Sequence, residues 1–263
     1  MTVRDHAVRA PSPQRSVADH AIAVRDWTTV RAVLFDVDGT LYGQALIRVL
    51  MAVELLSLPV SLRSVHRAMR VWRAIKMFRA VREELRSIEP GQRDLASLQY
   101  RETAKRIGED ASEIERWVEE WIHRRPLKYL RLGRRVGLES FLGELARAGM
   151  KTGVLSDYPC DDKLRALGLG GRFSLSLCTT DPEIGAFKPH AAGFLRACDL
   201  WGLSPDQVLY VGDRPDVDAA GAAAAGMPCA IVSGAAWLAS RRTDKYVTVP
   251  FYRRLTRVFD RAC

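Results

Sequence analysis

The chain has 263 residues, of which 48% are hydrophobic and 27% are charged. This composition is that of an ordinary globular protein and excludes wholesale disorder, and the length suits one domain with an insertion. The net charge of +9 favours anionic ligands, namely phosphorylated metabolites, nucleic acid or acidic lipid headgroups.

The five cysteines are odd in number and include no C-x-x-C pair, which favours reduced thiols over a disulfide framework. The first 25 residues contain no apolar stretch of signal-peptide length, and no later segment is long enough to span a bilayer. We therefore expect a cytoplasmic protein, and contact with an anionic membrane surface is left open.

The first predicted strand is followed directly by acidic residues. Residues 1–25 mix prolines with scattered charges, which is typical of a poorly ordered tail. The apolar run 32–35 then predicts a buried parallel strand, and it ends at Asp36-Val37-Asp38-Gly39-Thr40.

A helical block follows the first strand. Over residues 44–135 apolar residues recur every three or four positions, which predicts helices and no strand. One helix is expected at 95–107, and another is expected to open at a capping box of Ser112 and Glu115 and to stop before Pro126.

A basic stripe runs through this block at intervals of three or four residues. A solvated helix face is the plainest interpretation. The alternatives are a surface that recruits an anionic substrate and a helix that lies on acidic lipid, as the basic C-terminal helix would also do. Nucleic acid is not expected, because no recognised binding module accompanies the charge. The stripe consists of Arg63, Arg67, Arg70, Arg73, Lys76, Arg79, Arg82 and Arg86.

After Gly137 strands and helices alternate, which predicts a Rossmann-like parallel sheet covered by helices on both faces. The predicted strands are 152–155, 175–179, 208–211, 229–232 and 246–249. The predicted helices are 138–148, 161–167, 191–201 and 217–225, followed by the basic helix.

Ligands of open α/β sheets lie beyond the carboxyl ends of the strands, where several loops converge. Here those loops carry Asp36 and Asp38, Ser156, Lys188 and Asp213. Together they predict a phosphate site.

The chain resembles the haloacid dehalogenase (HAD) superfamily of phosphatases through four motifs in that family's order. They are D-x-D-G-T at 36–40, Ser156, Lys188-Pro189 and G-D-x-x-x-x-D at 212–218. The resemblance implies a HAD-like core of residues 26–43 and 136–263, with an all-helical cap of residues 44–135 that closes over the site and carries most of the substrate choice.

Two carboxylates and a phosphate crowd together only if a cation offsets their repulsion, and Mg²⁺ with oxygen ligands suits such a site. We expect Asp36, the backbone carbonyl of Asp38 and Asp213 as its ligands. The resemblance implies that Asp36 attacks phosphorus to form an aspartyl phosphate, with Asp38 as general acid and base.

The remaining motif residues are expected to bind and orient. Lys188 would pair with the nucleophile and the phosphoryl oxygens, the Ser156 hydroxyl would donate a hydrogen bond, and Thr40 would bond Asp38 or the phosphate loop. Asp157 adds a negative charge where many relatives carry Asn. The residues assigned to substrate binding are Gly39, Thr40, Ser156, Asp157 and Lys188.

Two acidic residues compete for a supporting role behind the metal. Asp218 would orient Asp213 or Lys188, and Asp216 is the alternative. Asp218 is preferred, because its distance to Ala225-Gly226-Met227 matches the family pattern.

The second aspartate, Asp38, favours phosphoryl transfer, because dehalogenating relatives lack it and need no metal. The predicted function is therefore a phosphatase acting on a phosphorylated small molecule. A phosphomutase and a noncatalytic phospho-ligand binding protein are the alternatives, and the sequence indicates neither the substrate nor the oligomeric state.

Overall fold

The structure, a computed structural model, describes residues 29–62, 65–91, 94–232, 247–249 and 252. The predicted tail, Arg63 and the predicted basic C-terminal helix lie outside these residues. In the described part of the chain no helix combines the length and the apolarity needed to cross a membrane.

A six-stranded parallel sheet forms the centre of the fold, in the order β3-β2-β1-β4-β5-β6. The predicted α/β class is confirmed. The chain moves outward from β1 through β3 on one side and restarts at β4 on the other, so the loops after β1 and β4 diverge and leave a crevice between them. The strands are β1 (Ala32–Phe35), β2 (Lys151–Ser156), β3 (Leu175–Cys178), β4 (Val208–Gly212), β5 (Cys229–Val232) and β6 (Val247–Val249).

Alternate residues of β1 face opposite layers, since side chains of a strand point to the two faces in turn. Val33 and Phe35 belong to a core cluster with residues of α6 (Leu138–Arg147) and α7 (Asp161–Ala166). Ala32 and Leu34 belong to a cluster on the other face, with α8 (Ala192–Trp201) and α9 (Ala220–Ala225). The central strand is thus fully buried, which explains its continuous apolar run.

A helical insertion, residues 44–133, separates β1 from the rest of the sheet. Its described residues form helices and no strand, as predicted. The helices are α1 (Gln44–Leu62), α2 (Val65–Leu85), α3 (Leu95–Ile107), α4 (Ala111–Val118) and α5 (Leu127–Leu130), with a π-helix Glu119–Arg124 and a 3₁₀-helix Arg131–Gly133. The predicted boundaries between core and cap stay predictions.

The capping box predicted at Ser112 is wrong. Helix α3 ends at Gly108 in the left-handed conformation, and Asp110 is the last extended residue before α4 begins at Ala111. Ser112 therefore lies within the first turn, because the preceding reversal of the chain sets the start of α4.

The insertion has its own apolar core and a second cluster that joins it to the sheet domain. Val71, Phe78, Ile114 and Trp117 contribute to the first. In the second, Phe187, from the loop between β3 and α8, packs with Val81, Leu85 and Leu95. This contact places α2 beside the loop that carries Lys188.

Candidate active site

The sheet register brings the first and fourth motifs together. Phe35 pairs with Val211, so Asp36 lies level with Gly212 and one residue before Asp213. Gly39 has φ +103°, and a Cβ at this position would lie 2.0 Å from Asp213 Oδ2. A glycine is required here for two reasons, the left-handed backbone and the close approach of the Asp213 carboxylate.

Lys188 links the nucleophile candidate to the last motif. Its Nζ donates to Asp36 Oδ1 and to Asp218 Oδ1, both at 2.7 Å, and to the Tyr210 hydroxyl at 3.1 Å. Burial lowers the pKa of Lys188, but Asp218 and Asp36 raise it by more, and the net result is well above its ordinary value. The ammonium group therefore stays charged within the site.

Asp218 holds both of its predicted partners. Its Oδ1 accepts from Lys188 Nζ and from the Tyr210 hydroxyl at 3.2 Å, and its Oδ2 accepts from the backbone N–H groups of Asp213 and Arg214, both at 3.0 Å. Asp216, by contrast, is exposed and accepts from Arg214 Nη2 at 2.6 Å. Of the two competing aspartates, Asp218 contacts the residues of the site and Asp216 does not.

Three carboxylates converge at the strand ends, since oxygens of Asp36, Asp213 and Asp218 all lie within 4.8 Å of one another. Burial raises the pKa of Asp36 well above its ordinary value, and the neighbouring carboxylates add to the effect against the opposing charge of Lys188. Burial and then Asp218 raise the pKa of Asp213 to about 6. Burial and mutual repulsion thus favour the protonated forms of Asp36 and Asp213, and a bound cation would offset that effect.

The donor set fits Mg²⁺, which prefers carboxylate and carbonyl oxygens and keeps several waters. Both oxygens of Asp218 are already occupied by four donors, so it suits a supporting place behind the metal. Among the described residues no hydrogen-bond donor reaches the Asp213 carboxylate, which leaves it free to coordinate a cation beside Asp36.

Three of the predicted substrate-binding residues, Thr40, Ser156 and Asp157, each have a different hydrogen-bond partner. Thr40 Oγ1 donates to Asp36 Oδ2 at 2.9 Å, so the first of its two expected partners, Asp38, is wrong, and a bond to the phosphate loop stays a prediction; the turn after β1 brings Thr40 back onto the first aspartate. The Ser156 hydroxyl is buried and accepts from the Tyr158 N–H at 3.2 Å. Asp157 Oδ2 accepts from Arg86 Nη1 of the insertion at 2.6 Å.

Asp38 has two partners that the motifs did not indicate. Lys163 Nζ, from α7, donates to both of its carboxylate oxygens at 2.7 and 2.6 Å, and the Tyr42 hydroxyl donates to Oδ1. Burial raises the pKa of Asp38, but the charge of Lys163 and the bonds from Lys163 and Tyr42 bring it below its ordinary value. Asp38 is therefore held as a carboxylate in this arrangement.

A cavity of about 1000 Å³ opens over these residues and is roofed by the insertion. Part of the basic stripe, namely Lys76, Arg79, Arg82 and Arg86, lines this cavity. Arg82 and Arg86 are buried or nearly so at the junction with the core, whereas Arg67, Arg70, Arg73, Lys76 and Arg79 are exposed. Contact of the exposed part with acidic lipid stays a prediction.

Comparison with known proteins gives one family. The model of the haloacid dehalogenase-like hydrolases matches residues 30–226. A phosphoserine phosphatase of Thermus thermophilus is 36% identical over 92 residues, which are 34% of this chain and 36% of that protein. The chain thus spans little more than a third of that curated relative.

Solved structures share the fold. The HAD-hydrolase YfnB of Bacillus subtilis, solved with magnesium bound, has a TM-score of 0.61 at 16% identity over 88% of this chain and 99% of its own. A 2-haloacid dehalogenase of Pseudomonas syringae has a TM-score of 0.57 at 24% identity, covering 89% of this chain and 100% of its own. At these identities the likeness extends to the fold alone.

Proposed function

This chain belongs to the haloacid dehalogenase-like hydrolase family, and from that membership we propose that it is a Mg²⁺-dependent phosphatase that hydrolyses a phosphate monoester through Asp36. One observation carries the proposal. The buried ammonium of Lys188 lies 2.7 Å from both Asp36 and Asp218, beside the Asp213 carboxylate, in a cavity large enough for a small phosphorylated molecule.

The reaction consists of two displacements at phosphorus. A carboxylate oxygen of Asp36 forms a bond to phosphorus while the ester P–O bond breaks, and the leaving oxygen takes a proton from Asp38. A water molecule then gives a proton to Asp38 and attacks phosphorus, the bond to Asp36 breaks, and inorganic phosphate leaves.

Lys188 and Thr40 orient the nucleophile in this scheme. Each donates to a different oxygen of Asp36, which fixes the plane of the carboxylate. The Lys188 ammonium also offsets negative charge that develops on the phosphoryl oxygens, as a preorganised donor does in a site shielded from bulk water. Asp36, Asp213 and the backbone carbonyl of Asp38 would hold Mg²⁺, which supplies further charge neutralisation when bound.

Lys163 sets the protonation state of Asp38 in the resting site. The two-point contact favours the carboxylate, which is the form needed to accept a proton from water in the second displacement. For the first displacement Asp38 has to carry a proton, which it can hold on one oxygen while Lys163 donates to the other.

The presence of Asp38 supports phosphoryl transfer over dehalogenation, since dehalogenating relatives lack this second aspartate. The test is a screen for release of inorganic phosphate from p-nitrophenyl phosphate and a panel of phosphorylated metabolites, with Mg²⁺. We expect release. Interconversion of sugar phosphates without release would favour a phosphomutase, and release of halide from a 2-haloacid with all esters inert would replace the proposal.

A further inference from the structure

Arg82 of α2 has two buried donors with no partner. Its side chain is 4% exposed, and Nε and Nη1 have no hydrogen-bond acceptor within reach. Nη2 donates to Gln99 Oε1 at 3.2 Å, and no carboxylate among the described residues forms an ion pair with the guanidinium. A buried charge without an ionic partner is destabilising unless a ligand or another charge satisfies it.

The side chains stacked on Arg82 are aromatic, and the nearby carboxylates of Asp38 and Asp157 form ion pairs with Lys163 and Arg86 instead. The guanidinium carbon lies 3.3 Å from the ring centroid of Tyr158, 5.1 Å from that of Phe187 and 5.4 Å from that of Phe78. Stacking between rings holds the guanidinium plane while leaving its N–H edge for an acceptor.

Arg82 belongs to the wall of the cavity that holds Asp36 and Asp213. Tyr158 also lies against Lys163, whose Nζ is 4.7 Å from the ring centroid. Two cationic groups therefore flank one ring on the side of the cavity formed by the junction of α2 with the core. Lys163 forms an ion pair with Asp38, whereas no carboxylate of the described residues lies within ion-pair distance of Arg82.

We propose that Arg82 is a specificity-determining residue that binds a second oxyanion of the substrate, so that the preferred substrates are phosphate esters carrying a carboxylate or a further phosphate. This inference rests on the proposed phosphatase activity. The guanidinium N–H groups can donate to the oxygens of either a carboxylate or a phosphate. A substrate without a second anionic group would leave these donors without an acceptor. Because the two nitrogens are covered in this structure, the proposal requires a local shift of the guanidinium or of the rings stacked on it when the anion binds.

The test compares matched substrates. The wild-type protein is assayed on 2-phosphoglycolate against ethyl phosphate, and on fructose 1,6-bisphosphate against fructose 6-phosphate, with p-nitrophenyl phosphate as a reference that has no second oxyanion. We expect a preference in kcat/KM for the doubly anionic member of at least one pair, and which pair shows it tells a carboxylate from a phosphate.

The variant Arg82→Gln should reduce that preference, taken as the ratio of kcat/KM within a substrate pair, about 10- to 100-fold, the range for loss of charge-assisted hydrogen bonds. Arg73→Gln removes a charge from an exposed position of the same helix and should leave both the preference and kcat/KM on p-nitrophenyl phosphate unchanged. If Arg82→Gln does not fold, Arg82→Lys, which keeps the charge without the planar fork, takes its place.

The proposal is overturned if the wild-type protein shows no preference in either pair, or if the preference survives the loss of Arg82. A binding assay separates this failure from failure of the phosphatase proposal. Phosphonoacetate should raise the Tm of the wild-type protein more than ethylphosphonate does, and Arg82→Gln should remove the difference, whether or not any ester is hydrolysed. Equal shifts from the two phosphonates would also overturn it.

Discussion

Lys163 Nζ donates to both carboxylate oxygens of Asp38, at 2.7 and 2.6 Å, from a side chain that is 6% exposed. A buried lysine paired so closely with the acid–base candidate is a positioning residue in our account. It fixes the rotamer of Asp38 and stabilises its charged form.

Replacing Lys163 with Met should lower kcat about 10- to 100-fold, because Asp38 loses the partner that orients it for proton transfer, and KM should change little. Lys163→Arg should recover most of the loss. Steady-state kinetics on p-nitrophenyl phosphate measure kcat and KM separately. Arg165→Met, at an exposed position of the same helix, is the control. An unchanged kcat in Lys163→Met would show that Asp38 works without this contact.

Replacing Gly39 with Ala should lower kcat/KM about 100-fold or more, because the new methyl group would displace Asp213 from the site. Gly91 is the matched control. Its φ of +93° is similarly left-handed, but nothing lies within 4 Å of a Cβ at that position. Both variants should lose about 1 kcal/mol of stability through backbone strain, and only Gly39→Ala should lose activity. Equal activities in the two variants would contradict the placement of Asp213.

The Asp157–Arg86 ion pair should make stability depend on pH. Burial raises the pKa of Asp157, but Lys188 and Arg86 lower it by more, so folding favours the carboxylate. Its stabilisation is complete above the unfolded-state pKa of about 3.9 and is lost as pH falls through the lower folded-state pKa.

Asp157→Asn should therefore lower the free energy of unfolding at pH 7 by about 3 kcal/mol, as breaking a buried ion pair does. The difference from wild type should shrink as the pH of urea unfolding is brought towards 3. Asp162→Asn removes an exposed ion pair with Arg165 and should have almost no effect at any pH. A difference that stays constant or grows on acidification would refute the assignment.

The cluster of Asp36 and Asp213 should bind Mg²⁺ with a measurable gain in stability. At a free concentration 100 times the Kd, binding to the folded state alone stabilises by about 2.7 kcal/mol. Addition of Mg²⁺ after chelation should raise the Tm of wild type and of Asp216→Asn but not of Asp213→Asn. An equal shift in Asp213→Asn would place the ion elsewhere.

Much of this site follows from short sequence patterns. Asp36 and Asp213 each come directly after or within one residue of a buried apolar run, and parallel strands bring such ends to one edge of the sheet. The position of β4 next to β1, with Phe35 paired to Val211, is given by the structure. Local pattern and topology together suffice for the residues that lie at strand ends.

Other residues depend on which face of a helix turns towards the core. Lys163 and Arg82 lie on helices, where a lysine or an arginine is usually solvated, and tertiary packing buries both side chains. The Asp157–Arg86 contact likewise joins residues from the core and the insertion. Arg82 follows Val81 and lies four residues after Phe78, so it borders the apolar face of α2, but this spacing does not distinguish it from the exposed members of the stripe.

The most direct test of the account is phosphate release by Asp36→Asn from p-nitrophenyl phosphate with Mg²⁺, beside wild type and Asp216→Asn. We predict that wild type and Asp216→Asn release phosphate at similar rates, and that Asp36→Asn, with an unchanged circular dichroism spectrum, releases none above background. Turnover by folded Asp36→Asn would contradict the claim that this carboxylate attacks phosphorus.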